Sequence, residues 1–397
     1  MLTQVLALGL TQTIAWAAST YLIAILAAPI ARDLGLATST VFGAFSVALV
    51  VMGLAGPAAG RAIDRWGGRG VLIFSNVVLA AGLVLLGAAS NAPMLFTAWA
   101  ILGFGMALGL YEAAFATLVR LYGTAARSPI TGITLIAGFA STVGWPVTTL
   151  LAEHFGWRTS CYAWAAVHIA IALPMNLLLI PKAPSAREEP ASVNGSETDE
   201  APQGSPRTWH NYWRAFYLLA LFGATTAFVT SAMAAHLPGL LVAVGTTSLA
   251  ALTASALLGP AQVASRLLEF LAARRFHFHP LLTARIATAF HPVGGTLLAL
   301  FGGPAHVASL FAVLHGAGNG MITIAKGTLP LAIFGPVGYG HRQGLLSMMG
   351  RGMQAIAPFA FGLVLEMQGP RVALSLSIAL SLIALAALLA LRQSGEG

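Results

Sequence analysis

Charge is scarce in this chain. Only 8% of its 397 residues are Asp, Glu, Lys or Arg, too few to clothe the surface of a water-soluble globule. Cysteine is almost missing, and the lone Cys161 excludes an intramolecular disulfide and a thiolate metal cluster. No glycine-rich phosphate loop ending in Lys and Ser or Thr occurs, which argues against an ATP-driven pump. No nucleophile–base spacing suggests an enzyme, and no cofactor or metal site is implied. The first apolar run lacks a basic leader and a polar cleavage site, so it is expected to stay as a span rather than be removed as a signal peptide.

Apolar sequence is abundant instead. Hydrophobic residues make up 57% of the chain, and the mean hydropathy is +0.82. Runs near 20 residues recur, which is the length a helix needs to cross the hydrocarbon core. They are continuous and rich in Ala, Leu and Gly, not alternating, so they predict helices rather than barrel strands. Twelve are expected, near 4–28, 39–61, 70–90, 93–120, 129–152, 159–180, 213–238, 247–272, 280–302, 305–332, 342–366 and 371–391.

The net charge of +8 is spread in a way that fits a membrane and not a nucleic acid. With the N-terminus inside, thirteen of the twenty Lys and Arg fall in or beside cytoplasmic segments, among them Arg61, Arg65, Arg69, Arg120 and Arg127. Arg32, Arg158 and Arg371 fall outside. This follows the positive-inside rule with both termini cytoplasmic. It predicts a multi-pass protein of a bacterial-type inner, or plasma, membrane. No soluble basic face exists to bind nucleic acid.

One long polar stretch, 181–210, holds five of the twelve acids together with Pro, Ser and Gly. It reads as a disordered cytoplasmic linker between six spans in 1–180 and six in 211–397. The halves resemble each other. LGFGMALGLYEAAFA (102–116) matches HGAGNGMITIAKGTL (315–329), and GITLIAGFASTVGWP (132–146) matches GLLSMMGRGMQAIAP (344–358). RLLEFLAARRF (266–276) stands where GPAAGRAIDRW (56–66) stands. Such weak symmetry marks carriers whose site lies near the bilayer midplane, between repeats.

Between the second and third spans lies Gly60-x-x-x-Asp64-Arg65-x-Gly67-Gly68-Arg69. The pattern resembles the loop at this place in the major facilitator superfamily of transporters. Glycines let helix ends approach, while Asp64 can pair with an arginine or with the positive N-terminus of a neighbouring helix. The resemblance implies an all-α membrane protein with twelve transmembrane helices in two six-helix, pseudo-symmetric bundles. It also implies transport by alternating access, with Gly60, Asp64, Arg65, Gly67 and Arg69 as a conformational-switch loop. In the eighth span, Ser265-Arg266-x-x-x-Phe270-x-x-x-Arg274-Arg275 is similar to G-R-x-x-x-G-x-x-x-D-R of the oxalate–formate antiporter and monocarboxylate branch. There the arginine holds the substrate carboxylate. Arg266 is kept here, while Ser265, Phe270 and Arg274 replace the two glycines and the aspartate.

Ionisable residues inside a membrane are costly and therefore candidates for function. Arg266, Lys326 and Arg351 are expected to bind an anion, and guanidinium groups suit carboxylates. Tyr111, Tyr21 and Trp16 are candidate cavity walls, and His236 a ligand or proton carrier. Glu112 and Glu269 are candidates for proton coupling or gating. Glu112 is expected either to bridge to Lys326 or to pair locally with Arg120, and Glu269 to neutralise or hold Arg266 at i,i+3. Arg285 is expected to snorkel to the cytoplasm. The partners expected are a small organic anion, protons and the lipid bilayer, with the chain a monomer. Rival readings are a proton-driven exporter of drugs, an exporter of an oxyanion or organometal acid, and a sensor that kept the carrier fold. Met349, Met353, Met233 and His236 also raise a copper carrier.

Overall fold

The computed structural model describes residues 1–182, 206–276 and 279–391, apart from the side chains of 206–210 and 274. Residues 183–205 of the expected linker therefore lie outside the described residues. Its last part is helical, because the seventh span begins at Pro206 and runs to Ala243.

Nine segments among the described residues are long and apolar enough to cross a membrane. One of them, Ala92–Leu179, is 88 residues long and makes three passes. It breaks at Leu110, which is extended, at Gly138–Phe139, and at Gly156. The helix Pro280–Phe301 supplies a further pass that polar residues such as Arg285 and His291 make less apolar. The result is the expected set of twelve spans.

The first span joins Leu2–Ala17 to Leu22–Leu34 through a tight turn, and the second and third are Thr38–Trp66 and Gly68–Gly87. The fourth comprises Ala92–Gly109 and Tyr111–Tyr122, and the fifth Arg127–Ala137 and 140–155. The sixth runs over 157–179 with a π-helical turn at His168–Ala172. The eighth to twelfth are 248–276, Pro280–Phe301, Ala305–Phe334, Tyr339–Gln368 and Pro370–Ala390.

Local sequence sets the ends. Asn91 caps the fourth span by accepting the Met94 N–H at 3.0 Å, with Pro93 in the first turn. Single glycines turn the chain between the second and third spans and between the eleventh and twelfth. Gly67 has φ +81° and Gly369 φ +84°, a region that side chains other than glycine rarely enter.

The internal symmetry is visible in packing. Gly103 of the fourth span presses on the backbone of Ala48 in the second, and Gly316 of the tenth on that of Leu258 in the eighth. Gly105 and Gly318 press in the same way on the third and ninth spans, against Leu79 and His291. Without a Cβ, helix backbones approach closely, and dispersion replaces the hydrophobic drive that lipid does not supply.

Leu2, Ile180 and Leu391 share one end of the bundle, here the terminal end. The two halves join there. A core cluster of first-half residues around Tyr111, Phe115 and Ile133 also takes in Leu331 and Tyr339 of the second half. Toward the opposite end each half keeps its own core, around Trp99 and Leu26 in one and Phe361 and Leu240 in the other. No extensive packing joins Leu22–Leu34 to the seventh span, or 140–155 to Ser248–Ala256, among the described residues. The halves therefore meet at the terminal end and separate toward the other.

Candidate functional site

The terminal end is closed by the second span lying against the eleventh. Gly53, Gly56 and Gly60 face Met348 and Arg351, Gly344, and Gly340 in turn, and a Cβ on Gly60 would run into the Gly340 carbonyl. One turn on, Asp64 sits under the first turn of the helix Tyr339–Gln368. Its carboxylate accepts the Gly340 N–H at 2.9 Å and the His341 N–H at 2.8 Å. Of the two partners that sequence allowed Asp64, the structure selects the helix N-terminus, whose free amides and dipole favour an anion. Gly67 supplies the turn. Arg65 lies over Trp66 at 5.4 Å, and Arg69 has no ion-pair partner among the described residues. Among the described residues no hydrogen bond or ion pair joins either of them to the second half.

The symmetry-related contact, the eighth span on the fifth, is built from charge. Arg266, 6% exposed, donates to the Thr134 carbonyl at 3.1 Å, to the Gly320 carbonyl at 3.3 Å and to the Thr323 hydroxyl at 3.4 Å. It thus ties the eighth and tenth spans to the fifth. The expected Arg266–Glu269 pair is not formed. Glu269, 7% exposed, points to Arg127 of the first half, with 3.9 Å between Nη2 and Oε1. At i,i+3 both side chains share one helix face, but the guanidinium is drawn to carbonyls and the carboxylate to a cation on the facing helix.

At mid-depth the expected Glu112–Lys326 bridge is also replaced. Glu112 is paired with Arg351 at 2.8 Å, and Arg351 donates a second bond to Gln354 Oε1 at 2.8 Å. The close approach of Gly53 to the Arg351 Cβ brings this arginine across the boundary between the halves. The pair is partly open, with side-chain exposures of 12% for Arg351 and 20% for Glu112. Lys326 stands near enough to feel both charges but has no carboxylate within 4.0 Å among the described residues.

Aromatic rings line the first half beside these cations. Trp16 lies 5.0 Å from Tyr111 and 6.2 Å from Tyr21, and Tyr21 meets Trp145 edge-on at 5.8 Å. The Tyr111 hydroxyl faces the Arg266 guanidinium. His236 stands apart, its Nε2 donating to the Pro358 carbonyl at 2.8 Å. That bond ties the seventh span to the eleventh. Arg285 reaches the Leu388 and Leu391 carbonyls at 3.1 and 2.8 Å, capping the twelfth span at the terminal end.

Three partners do not stand out in the sequence. Arg127 reads there as an ordinary cytoplasmic cation. Gln354 gave no signal, being a neutral residue one turn from Arg351. Gln12, fully buried and donating to the Gly109 carbonyl at 2.6 Å, holds the break in the fourth span that presents Tyr111 and Glu112. An amide side chain at the middle of the first helix, between Thr11 and Thr13, is the one signal available for it.

Comparison with known proteins agrees with this architecture. The family model described as Major Facilitator Superfamily matches residues 8–325. A 38 kDa protein encoded in a 23S RNA operon of Thermoproteus tenax is 27% identical over 93% of this chain and 90% of its own. An MFS-type efflux pump of Mycolicibacterium smegmatis is 30% identical over 53% of this chain and 47% of its own. Among solved structures, the human organic anion transporter MFSD10 superposes with a TM-score of 0.76 at 16% identity, over 97% of this chain and 99% of its own. FucP, in the outward conformation, superposes with a TM-score of 0.69 at 17% identity, over 98% of each chain. At such identities the structural likeness speaks for the fold alone. With more than half its length matched by the family model, the chain belongs to the Major Facilitator Superfamily, as a multi-pass membrane transporter and not an enzyme.

Proposed function

We propose that this transporter moves a small organic anion by alternating access, with Arg351 and Lys326 holding the substrate and Glu112 carrying the coupling proton. The unequal pairing of charges between the halves carries the reading. Glu112 matches Arg351 and Glu269 matches Arg127, which leaves Arg266 and Lys326 without carboxylates among the described residues. An excess of buried positive charge favours an anion and repels a cation. An arriving carboxylate competes with Glu112 for the Arg351 fork, and protonation of Glu112 releases it. The anion and the proton then cross together.

The terminal end is taken as cytoplasmic from the distribution of arginine, which makes the described state open to the outside. Asp64, the Gly60–Gly340 contact and the Arg127–Glu269 pair form its inner closure. Arg266 belongs to that closure here, so the carboxylate-holding role implied by the oxalate–formate resemblance is assigned first to Arg351. The efflux function in the name of the Mycolicibacterium relative suits export of an anion through the same site, drugs and oxyanions included.

Reconstituted vesicles test the proposal. A pH gradient is expected to drive accumulation of labelled carboxylates by the wild type and not by Arg351→Gln. Glu112→Gln is expected to exchange anions but not to concentrate them. Transport of lipophilic cations with indifference to carboxylates would overturn the reading.

A further inference from the structure

From the division of labour between the halves, we infer that the transported anion is aromatic, with its ring held by the first half and its carboxylate by the second. This rests on the anion reading above and narrows it. The first half supplies Trp16, Tyr21, Tyr111 and Trp145 as a connected series, each ring 5.0 to 6.2 Å from the next. The second half supplies Arg351 and Lys326. The two sets adjoin, for the Arg351 guanidinium lies 6.0 Å from the Trp16 ring.

Core packing accounts for Tyr111, which stacks on Phe115 at 5.3 Å, and for much of Trp16, but it leaves Trp145 open. Trp145 is 43% exposed although it sits edge-on to half-buried Tyr21, so part of its ring is left uncovered. The buried Trp16 Nε1–H has no hydrogen-bond partner among the described residues, a cost that an acceptor on the ligand would remove. An aliphatic carboxylate would satisfy the cations and leave the rings unused. A planar ring stacks on the indole and phenol faces, whose negative quadrupole also suits the neighbouring guanidinium.

Calorimetric titration of the detergent-purified full chain separates the outcomes. The probes are naphthoate, cyclohexanecarboxylate, acetate and neutral naphthamide. Naphthoate is expected to bind about tenfold more tightly than cyclohexanecarboxylate, the size of one or two aromatic contacts. Trp145→Leu should erase that preference and Trp145→Phe restore it, while acetate binding stays unchanged in both. If cyclohexanecarboxylate and naphthoate bind alike, and Trp145→Leu responds like wild type, the aromatic assignment fails and the anion reading stands. If naphthamide binds as tightly as naphthoate, the anion reading itself fails. If no carboxylate binds to folded wild type, both are overturned.

Discussion

Asp64 and His341 meet across the two halves of the transporter, the aspartate Oδ2 accepting the histidine backbone N–H at 2.8 Å. A carboxylate on the second span thus caps the first turn of the eleventh. The contact needs both halves at the terminal end and is lost when they part there, so it biases a conformational equilibrium rather than the fold of either half.

Removing that cap should shift the population of states. Asp64→Ala is expected to weaken the closed terminal end by about 1–2 kcal/mol, the range for a lost helix cap. That corresponds to roughly a five- to thirtyfold change in the ratio of closed to open. Asp64→Asn, which can still accept one bond, should fall between Ala and wild type. Spin-label distances across the second and eleventh spans measure the shift, and an unchanged distribution in Asp64→Ala would remove the closure role.

Gly60→Ala should act by sterics instead of charge. Its Cβ meets the Gly340 carbonyl, which is backbone and cannot swing aside, whereas a Cβ at Gly53 meets the Arg351 Cβ at 3.2 Å, a tight contact that a shift of a few tenths of an ångström relieves. Transport is expected to be abolished in Gly60→Ala and reduced in Gly53→Ala, both proteins remaining folded by size-exclusion chromatography. Equal activity of the two variants would show that the second and eleventh spans do not need this approach.

Glu112 and Arg351 form a partly buried pair, so losing one partner should harm more than losing both. Breaking such a pair costs up to about 3–5 kcal/mol when deeply buried, and less at the partial exposure here. Thermal unfolding is expected to fall for Glu112→Gln and for Arg351→Gln, and to recover in the double variant. Strict additivity would mean the two residues do not interact in the membrane.

The Arg127–Glu269 pair offers the same comparison at the closed terminal end. At 3.9 Å it is looser than the pair at mid-depth, yet Glu269 is the more deeply buried carboxylate. Arg127→Gln should therefore destabilise the protein, and Glu269→Gln added to it should restore stability. Cysteine accessibility at the terminal end should rise in Arg127→Gln and return in the double variant. No rise in the single variant would sever this pair from closure.

Much of the fold was legible because membrane helices announce themselves. Backbone groups cannot go unpaired in hydrocarbon, so each long apolar run had to be a helix. The glycine repeat in 102–116 and 315–329 revealed the two halves, and Gly103 and Gly316 do occupy equivalent contacts. Breaks were less visible. Leu110 and Phe139 interrupt helices without proline at the break, and only the buried Gln12 near the first hints at why.

The candidate site was legible as a set of residues but not as a set of pairs. Glu112, Lys326, Arg351, Arg266 and Glu269 stand out because charge in a span is expensive. Their partners do not follow from spacing. Glu269 lies three residues from Arg266 yet faces Arg127, and Glu112 lies nearest Lys326 by internal alignment yet bonds Arg351.

The sequence by itself determined the solvent this protein lives in, its helical spans, its twofold plan and the residues whose charge needs a reason. These depend on composition and on periods within a single helix. The tertiary structure decided which charges neutralise each other, which end is closed, and that Asp64 caps a helix rather than pairing with arginine. Those choices depend on distances between residues 239 and 277 positions apart, set by how glycine-lined helices cross. A pair interaction that decays within a few ångströms is decided only by that crossing.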